Sequence, residues 1–242
     1  SMPVQYEGII KEHEHTRKEA GIFDISHMGE FLLSGKGAQA ALDRVVTHNL
    51  ATLGAGKCRY GFMLNEKGGV LDDLIVYCLG SDDYMLVVNG ACEESDFAWI
   101  KGQLPAGVSL RNVSAETAKI DLQGPRSLEA LEKVLGAKWG HLKYFNFEQS
   151  RFDGESMIVS RTGYTGELGY ELYLPWGKAQ AMWEKLAAVD FVRPIGLGAR
   201  DTLRLELGYP LYGQDLDTAH TPVEAGYGFL MGKETAFVGK EA

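Results

Sequence analysis

Apolar and polar positions in residues 8–20, GIIKEHEHTRKEA, recur with helical spacing, bringing Ile9, Ile10, His13 and Arg17 near one side; Gly21 is the expected stop. GEFLLSG (29–35) then reads as a short strand, and AQAALDRVV (38–46) as a helix of good formers. YGFML (60–64), VLDDLIVYCL (70–79) and YMLVVNG (84–90) are apolar, rich in branched and aromatic residues, and separated by the turn-forming stretches 65–69 and 80–83. Links this short force antiparallel neighbours, because parallel strands need long crossovers. A helix is expected over CEESDFAWIKGQL (92–104), with strands over SLRNVS (109–114) and AKIDLQG (118–124). Ser127 is placed to cap LEALEKVLG, where Glu129 and Lys133 stand one turn apart. Two strands around a glycine-rich turn follow in residues 156–175, then helices over 177–189 and 197–207. Strand clusters linked mostly by hairpins and interleaved with helices indicate an α+β class with largely antiparallel sheets.

Composition narrows the function. The chain has 242 residues, 45% hydrophobic, enough for one large core or two modest ones. Its formal net charge of -9 argues against a general nucleic-acid or anionic-membrane binder. No apolar run approaches the ~20 residues of a bilayer span, and the start, SMPVQYEG, has no secretory pattern. Cys58, Cys78 and Cys92 lack any C-x-x-C pattern, so they read as buried small hydrophobes in a reducing compartment. His13 and His15, two apart on a helix, point away from each other and make a poor metal pair; no metal is expected.

Within GGVLDDLIVY (68–77) two adjacent carboxylates interrupt a strand that is apolar on both sides. Successive strand side chains face opposite ways, so Asp72 and Asp73 cannot both reach one solvent face. At least one is expected in a dry or half-dry setting, where an unpaired charge is costly. A functional acid and a strand-end bulge or internal backbone bond are equally compatible with this segment alone. RTGYTGELGYELY (161–173) carries three glycines, but matches no dinucleotide or P-loop fingerprint; a hairpin with a solvent-facing glutamate explains it too. In GLGARDTLRLELGYPLYGQDLD (196–217), Arg200 and Arg204 share a helix face, with Asp201 and Glu206 near enough to neutralise them. His27, next to Ser26 in FDISHMGEF, reads as a satisfied core histidine rather than half of a nucleophile pair, since sequence neighbours do not meet that geometry.

Taken in order, MPVQYEGIIKEH, GIFDISHMGE, MLNEKGGVLDDLIVY, LVVNG, LQGP, GYTGELGYELY, GLGARDTLRLELGYPLYGQDLD and TPVEAGYGF closely resemble the T-protein (aminomethyltransferase) family of the glycine cleavage system, from Met2 to the C-terminal FVGKEA. The resemblance implies two interwoven, mainly antiparallel α/β domains of the folate-binding type. Residues 1–30 with 114–222 form a discontinuous first domain, 31–113 an inserted second domain, and 223–242 a connector to a third, β-barrel domain that is absent. The chain is thus expected to be the truncated core of a longer protein, weakly active or inactive alone.

It implies, further, transfer of the aminomethyl carbon from the lipoyl arm of the H-protein to tetrahydrofolate, with release of ammonia and formation of 5,10-methylenetetrahydrofolate. The other glycine cleavage components are then partners too, in a bacterial cytoplasm or, for a eukaryote, the mitochondrial matrix. By position in the motifs the catalytic acid is Asp73, with Asp72 a structural companion. Glu171 is the pterin-binding acid, Tyr164 and Arg200 are folate contacts, and Asn89, Val88 and Met28 line the folate channel. A folate-dependent demethylase or a non-enzymatic folate binder is the alternative. Ala236 standing where the latter class has its reactive cysteine counts against it. An acid-pair hydrolase needs spaced carboxylates or a metal, which adjacent residues on one strand do not supply.

Overall fold

The computed structural model describes residues 2–242, and the chain divides into two compact units: Ser1–His27 with Ala115–Tyr209, and Met28–Ser114 with Pro210–Ala242. The expectation put 210–222 with the first domain. Instead Val70 N–H donates to Asp217 O and His220 O, both at 3.0 Å, so this stretch is fastened to the second unit.

The first unit contains α1 (Ile9–Lys18), β1 (Ala20–Asp24), β7 (Thr117–Gln123), α4 (Ser127–Leu135), β8 (Phe147–Phe152), β9 (Glu155–Ser160), β10 (Gly169–Pro175), α5 (Ala179–Ala187), β11 (Val192–Pro194) and α6 (Leu197–Glu206). Its sheet runs β11-β1-β7-β10-β9-β8, antiparallel except for the β1–β11 pair. Alternation along β7 sends Ala118, Ile120 and Leu122 into one apolar core with Tyr170, Leu172 and Leu174 of β10. The amphipathic helices α4 and α5 supply Ala130, Leu131, Met182 and Leu186 to that core. On the reverse face Phe23 and Ile25 pack with Ile195, Ala199 and Leu203, which seats α6.

Local chemistry differs from expectation at three places. Helix α1 ends at Lys18, and Gly21 lies inside β1, where an added Cβ would meet Ile195. Ser127 does not cap α4; its hydroxyl donates to Leu168 O at 2.8 Å and ties the helix to the glycine-rich turn. The Glu129–Lys133 pair does form, at 2.8 Å. His27 is exposed, and the buried core histidine is His48. His13 and His15 are occupied separately, by Thr202 and by the backbone oxygens of Ala20 and Phe191.

The second unit is built from β2 (Gly29–Ser34), α2 (Ala38–Asp43), β3 (Lys57–Leu64), β4 (Val70–Gly80), β5 (Asp83–Val88), α3 (Glu93–Gln103) and β6 (Ser109–Asn112), in the sheet order β3-β4-β5-β2-β6. The meander expected from the short links is present as antiparallel β3–β4 and β4–β5 pairs. One face carries Phe31, Leu33, Met63, Leu74, Val76, Leu86 and Val88 against α2 and Ile100 of α3. The other carries Phe62, Leu64 and Val70 against Leu216 and Phe237 of the 210–242 segment. Lys233 fastens that segment, its ammonium donating to the backbone oxygens of Val46 (2.6 Å) and His48 (3.1 Å). All three cysteines are buried and unbridged. Among the described residues no helix is long and apolar enough to cross a membrane.

Candidate functional site

Two groups of buried charge stand out, one in each unit. In the first, the face of the sheet opposite the main core is polar and dry. The register sets Glu171 opposite both Asp121 and Ser160, so Glu171 and Tyr173 of β10 project to the same side as Lys119, Asp121 and Gln123 of β7. All five residues are at most 3% exposed. Glu171 pairs with Lys119 Nζ at 2.9 Å and accepts from Thr162 Oγ1 at 2.5 Å and Tyr173 Oη at 3.3 Å. Burial works against this carboxylate, but Lys119 and Thr162 outweigh it and hold its pKa below the ordinary range. The solvent-facing glutamate that a simple hairpin would give is therefore excluded.

Asp121 is the second anion of the face. Arg200 reaches down from α6 to its Oδ2 at 3.1 Å, and Gln123 Nε2 donates to its other oxygen. Burial, and then the neighbouring Glu171, drive the Asp121 pKa upward against the pull of Arg200 and Lys119. Gln123 also bonds the glycine-rich turn, donating to Thr162 O at 3.0 Å and accepting from Thr165 Oγ1 at 2.8 Å. An added Cβ at Gly163 or Gly169 would collide with the Gln123 amide, which is why this turn needs small residues. The Arg200 guanidinium lies over the Tyr164 ring at 4.8 Å, and Tyr164 stacks on Tyr209 with centroids 5.9 Å apart. Arg204 is spent on Asp201 and Tyr209 O, and Glu206 turns to Arg17, so Arg200 rather than Arg204 serves this face.

Helix α6 is aimed by a third acid. Glu12 Oε1 accepts from the N–H groups of Tyr6, Glu7 and Gly8, and Oε2 from that of Gly196 at the helix start (2.7 Å). Burial opposes the charge on Glu12, and these backbone donors overcome it, lowering the pKa.

The second group centres on the paired aspartates of β4. Asp72, with Leu74 and Val76, belongs to the face covered by α3, and is fully buried. Asp73 pairs in register with Phe62 on the opposite face and is half-buried, as the strand period requires. That face is aromatic: Tyr60, Phe62 and Tyr227 meet edge-on with centroids 5.4–6.2 Å apart, and Tyr60 hydrogen-bonds Asp73.

The β4–β5 ladder stops at Ile75–Val87, and Asn89 fills the gap beyond it. Asn89 N–H donates to Asp72 Oδ2 at 3.0 Å. Its amide nitrogen donates to Asp72 Oδ1 at 2.8 Å and Asp73 Oδ1 at 2.9 Å, so one side chain holds both acids. Asp72 is also hydrogen-bonded to Asp96 of α3 and to Cys92. Burial first, then the charge of Asp72, push Asp73 up to about 7 against the hydrogen bonds of Tyr60 and Asn89. A carboxylate at that value can take or hold a proton near neutral pH, which ordinary aspartates cannot do.

Asp73 and Asn89 thus share one cluster, while Tyr164, Glu171 and Arg200 share another. Val88 does not present its side chain; it is fully buried in the second unit's core. Met28 is half-buried immediately ahead of β2. Lys119, Asp121, Thr162, Gln123 and Asp96 were not anticipated. The alternation of AKIDLQG was the visible signal for three of them.

The family model described as the GCVT N-terminal domain matches residues 1–235. A curated aminomethyltransferase of Halothermothrix orenii is 48% identical over all of the chain, which covers 69% of that protein. The chain belongs to the GCVT aminomethyltransferase family. A second relative, the aminomethyltransferase of Geobacillus kaustophilus, is 46% identical over 99% of the chain and is covered to 67% of its length. The crystal structure of glycine cleavage system aminomethyltransferase T from Bartonella henselae superposes with a TM-score of 0.93 at 35% identity, covering 99% of this chain and 66% of that one. The chain therefore spans about two thirds of the length of the family members it matches. Family membership makes the α+β architecture of two sheets the expected scaffold of an aminomethyl-transferring enzyme, and the two buried charge clusters are where this chain departs from what a scaffold alone would need.

Proposed function

We propose that this chain handles the folate co-substrate of an aminomethyl transfer in the glycine cleavage system. In that reaction the methylene carbon leaves the sulfur of a lipoyl arm carried by the H-protein and bonds to N5 of tetrahydrofolate. The amine departs as ammonia, the second bond forms to N10, and the lipoyl sulfur leaves as the free thiol. The carbon passes through a cationic, iminium-like stage, for which a fixed carboxylate in a water-poor setting is the natural stabiliser.

Asp73 supports this reading most strongly, because it is the one acid of the β4 pair on the aromatic face with a pKa raised to about 7. Its role is to receive or steer the proton that folate nitrogen gives up as the carbon is bonded. Glu171 is the counterpart for the aminopyrimidine edge of the pterin. It already accepts from Lys119, Thr162 and Tyr173, and a carboxylate offers about four lone-pair sites, so the long Tyr173 contact is the one a pterin N–H replaces. Arg200 and the Tyr164 ring supply a cation and a flat apolar face for the ring carbonyl and the heterocycle. Asn89 acts behind Asp73, and Met28 and the Val88 backbone contribute only shape.

The test is turnover with an aminomethyl-loaded lipoyl carrier. Ammonia release should require tetrahydrofolate and yield one methylenetetrahydrofolate per ammonia. Demethylation of an N-methylated amine in place of carrier turnover would favour the demethylase reading and overturn this one.

A further inference from the structure

Asp96 stands in the first turn of α3 beside Glu93 and Glu94, where acidic residues ordinarily remain ionised, favoured by the helix dipole. Its surroundings reverse that preference. The side chain is 2% exposed, and it hydrogen-bonds Asp72, another carboxyl group. Two carboxyl groups sharing a hydrogen bond must have a proton between them, because neither anion has a hydrogen to give.

The distribution of donors shows which one carries it. Asp72 accepts the Asn89 backbone N–H at 3.0 Å and an Asn89 amide hydrogen at 2.8 Å, which is the setting of an anion. Asp96 Oδ2 is buried, and no N–H or hydroxyl donor among the described residues reaches it. A neutral carboxyl group tolerates such a position far better than a charged one does. We propose that Asp96 is a protonated positioning residue, whose carboxyl hydrogen binds Asp72 so that Asp72 and the shared Asn89 amide hold the Asp73 carboxylate in its working orientation.

This deepens the proposed role of Asp73 and rests on it. Burial, the Asp72 hydrogen bond and the Asp72 charge raise the Asp96 pKa to about 10, in keeping with the proton's place. The chain of contact is continuous, from Asp96 to Asp72, to Asn89, to Asp73. With Asp96 unable to donate, Asp72 loses a partner, its own pKa rises, and the negative charge that keeps Asp73 near 7 is weakened. The groups facing Asp73 and Asp72 are Asn89, Tyr60, Asp96 and Cys92, with Tyr212 near enough to have its own hydroxyl pKa pushed up to about 12 by burial and by Cys92, Asp72 and Asp96.

The decisive comparison is Asp96→Leu with Asp96→Asn. Asp96→Leu should lower kcat on the order of tenfold or more, leave KM for tetrahydrofolate nearly unchanged, and move the acid limb of the rate profile to lower pH. Asp96→Asn, whose amide can still donate to Asp72, should rescue most of the kcat loss and return the acid limb towards its original position. Infrared spectra at about pH 8.5, where an ordinary aspartate is fully ionised, provide a reading independent of turnover. A protonated-carboxyl band should be present in the unaltered chain and weakened in both variants. Loss of kcat in Asp96→Asn equal to that in Asp96→Leu, or no change in the band, would overturn the assignment. If Asp73→Asn turned over normally while the band behaved as described, the role of Asp73 would fail and the protonation of Asp96 would stand.

Discussion

Asp73→Asn is expected to lower turnover by roughly 10²–10⁴-fold, the range for removal of a positioned acid–base group, while making the folded chain more stable at alkaline pH. The two effects have one cause. In the folded chain the Asp73 pKa is raised to about 7, above the roughly 3.9 of an unfolded aspartate. Between those values the native state binds more protons than the unfolded state. The contribution of this group to stability is therefore fully present below the unfolded pKa and is lost as pH rises through the folded one. Asparagine keeps the shape and never ionises, so the variant should gain most in denaturation midpoint at about pH 8 and little at about pH 5. Asp72→Asn should behave differently, because Asp72 holds Asn89 and Asp96 together; its main effect is loss of folding stability. Were well-folded Asp72→Asn the more damaging of the two for turnover, the acid would have been misassigned.

Lys119→Ala should be the most destabilising single change in the first unit. Lys119 and Glu171 are both nearly inaccessible, with side chains 2% and 4% exposed, and lie 2.9 Å apart. Removing one member of such a pair leaves the other charge buried without its counterion, at a cost of about 3–5 kcal/mol. The loss should deepen with rising pH, since Glu171, no longer held low by Lys119, becomes an acid that resists ionising in the fold. Replacing both, as Lys119→Met with Glu171→Leu, should recover most of the stability, because two apolar side chains of similar volume avoid the desolvation that the pair suffers. Urea midpoints of the single and double variants at about pH 5 and 8 measure this. A single variant within about 1 kcal/mol of the parent, the ordinary range for a surface ion pair, would mean that the face is wetter than the structure indicates.

The two aspartates of β4 were legible because they violate the pattern around them: charge in the middle of an apolar strand needs a reason. The register that sends Asp72 towards α3 and Asp73 towards Tyr60 and Phe62 follows from the two-residue period alone. Asp96 was illegible for the opposite reason. Acids in the first turn of a helix are commonplace, and nothing in CEESDFAW marks one of its three as buried. Lys119 and Asp121 alternate cleanly with apolar residues, but an amphipathic strand usually turns its polar side to water. Only pairing of β7 with β10 reveals that this side faces Glu171 in a dry layer.

Edge strands were lost similarly. β8 has apolar residues only at its ends, and β11 is three residues held parallel to β1, so neither carries enough periodicity to be seen. Ser127 and His27 show local chemistry overridden by tertiary context. The serine finds Leu168 O before it can cap its helix, and the histidine stands exposed at the end of the first segment.

Calorimetric titration of the chain with tetrahydrofolate and with folic acid tests most directly whether these buried carboxylates recognise a reduced pterin. Reduction puts hydrogens on N5 and N8 that the oxidised ring lacks, and polar sites built for such hydrogens reject analogues without them. Tetrahydrofolate should bind roughly tenfold or more tighter than folic acid, with that binding largely abolished in Glu171→Ala. Equal affinity for the two forms, or tetrahydrofolate affinity unchanged in a well-folded Glu171→Ala, would contradict such recognition.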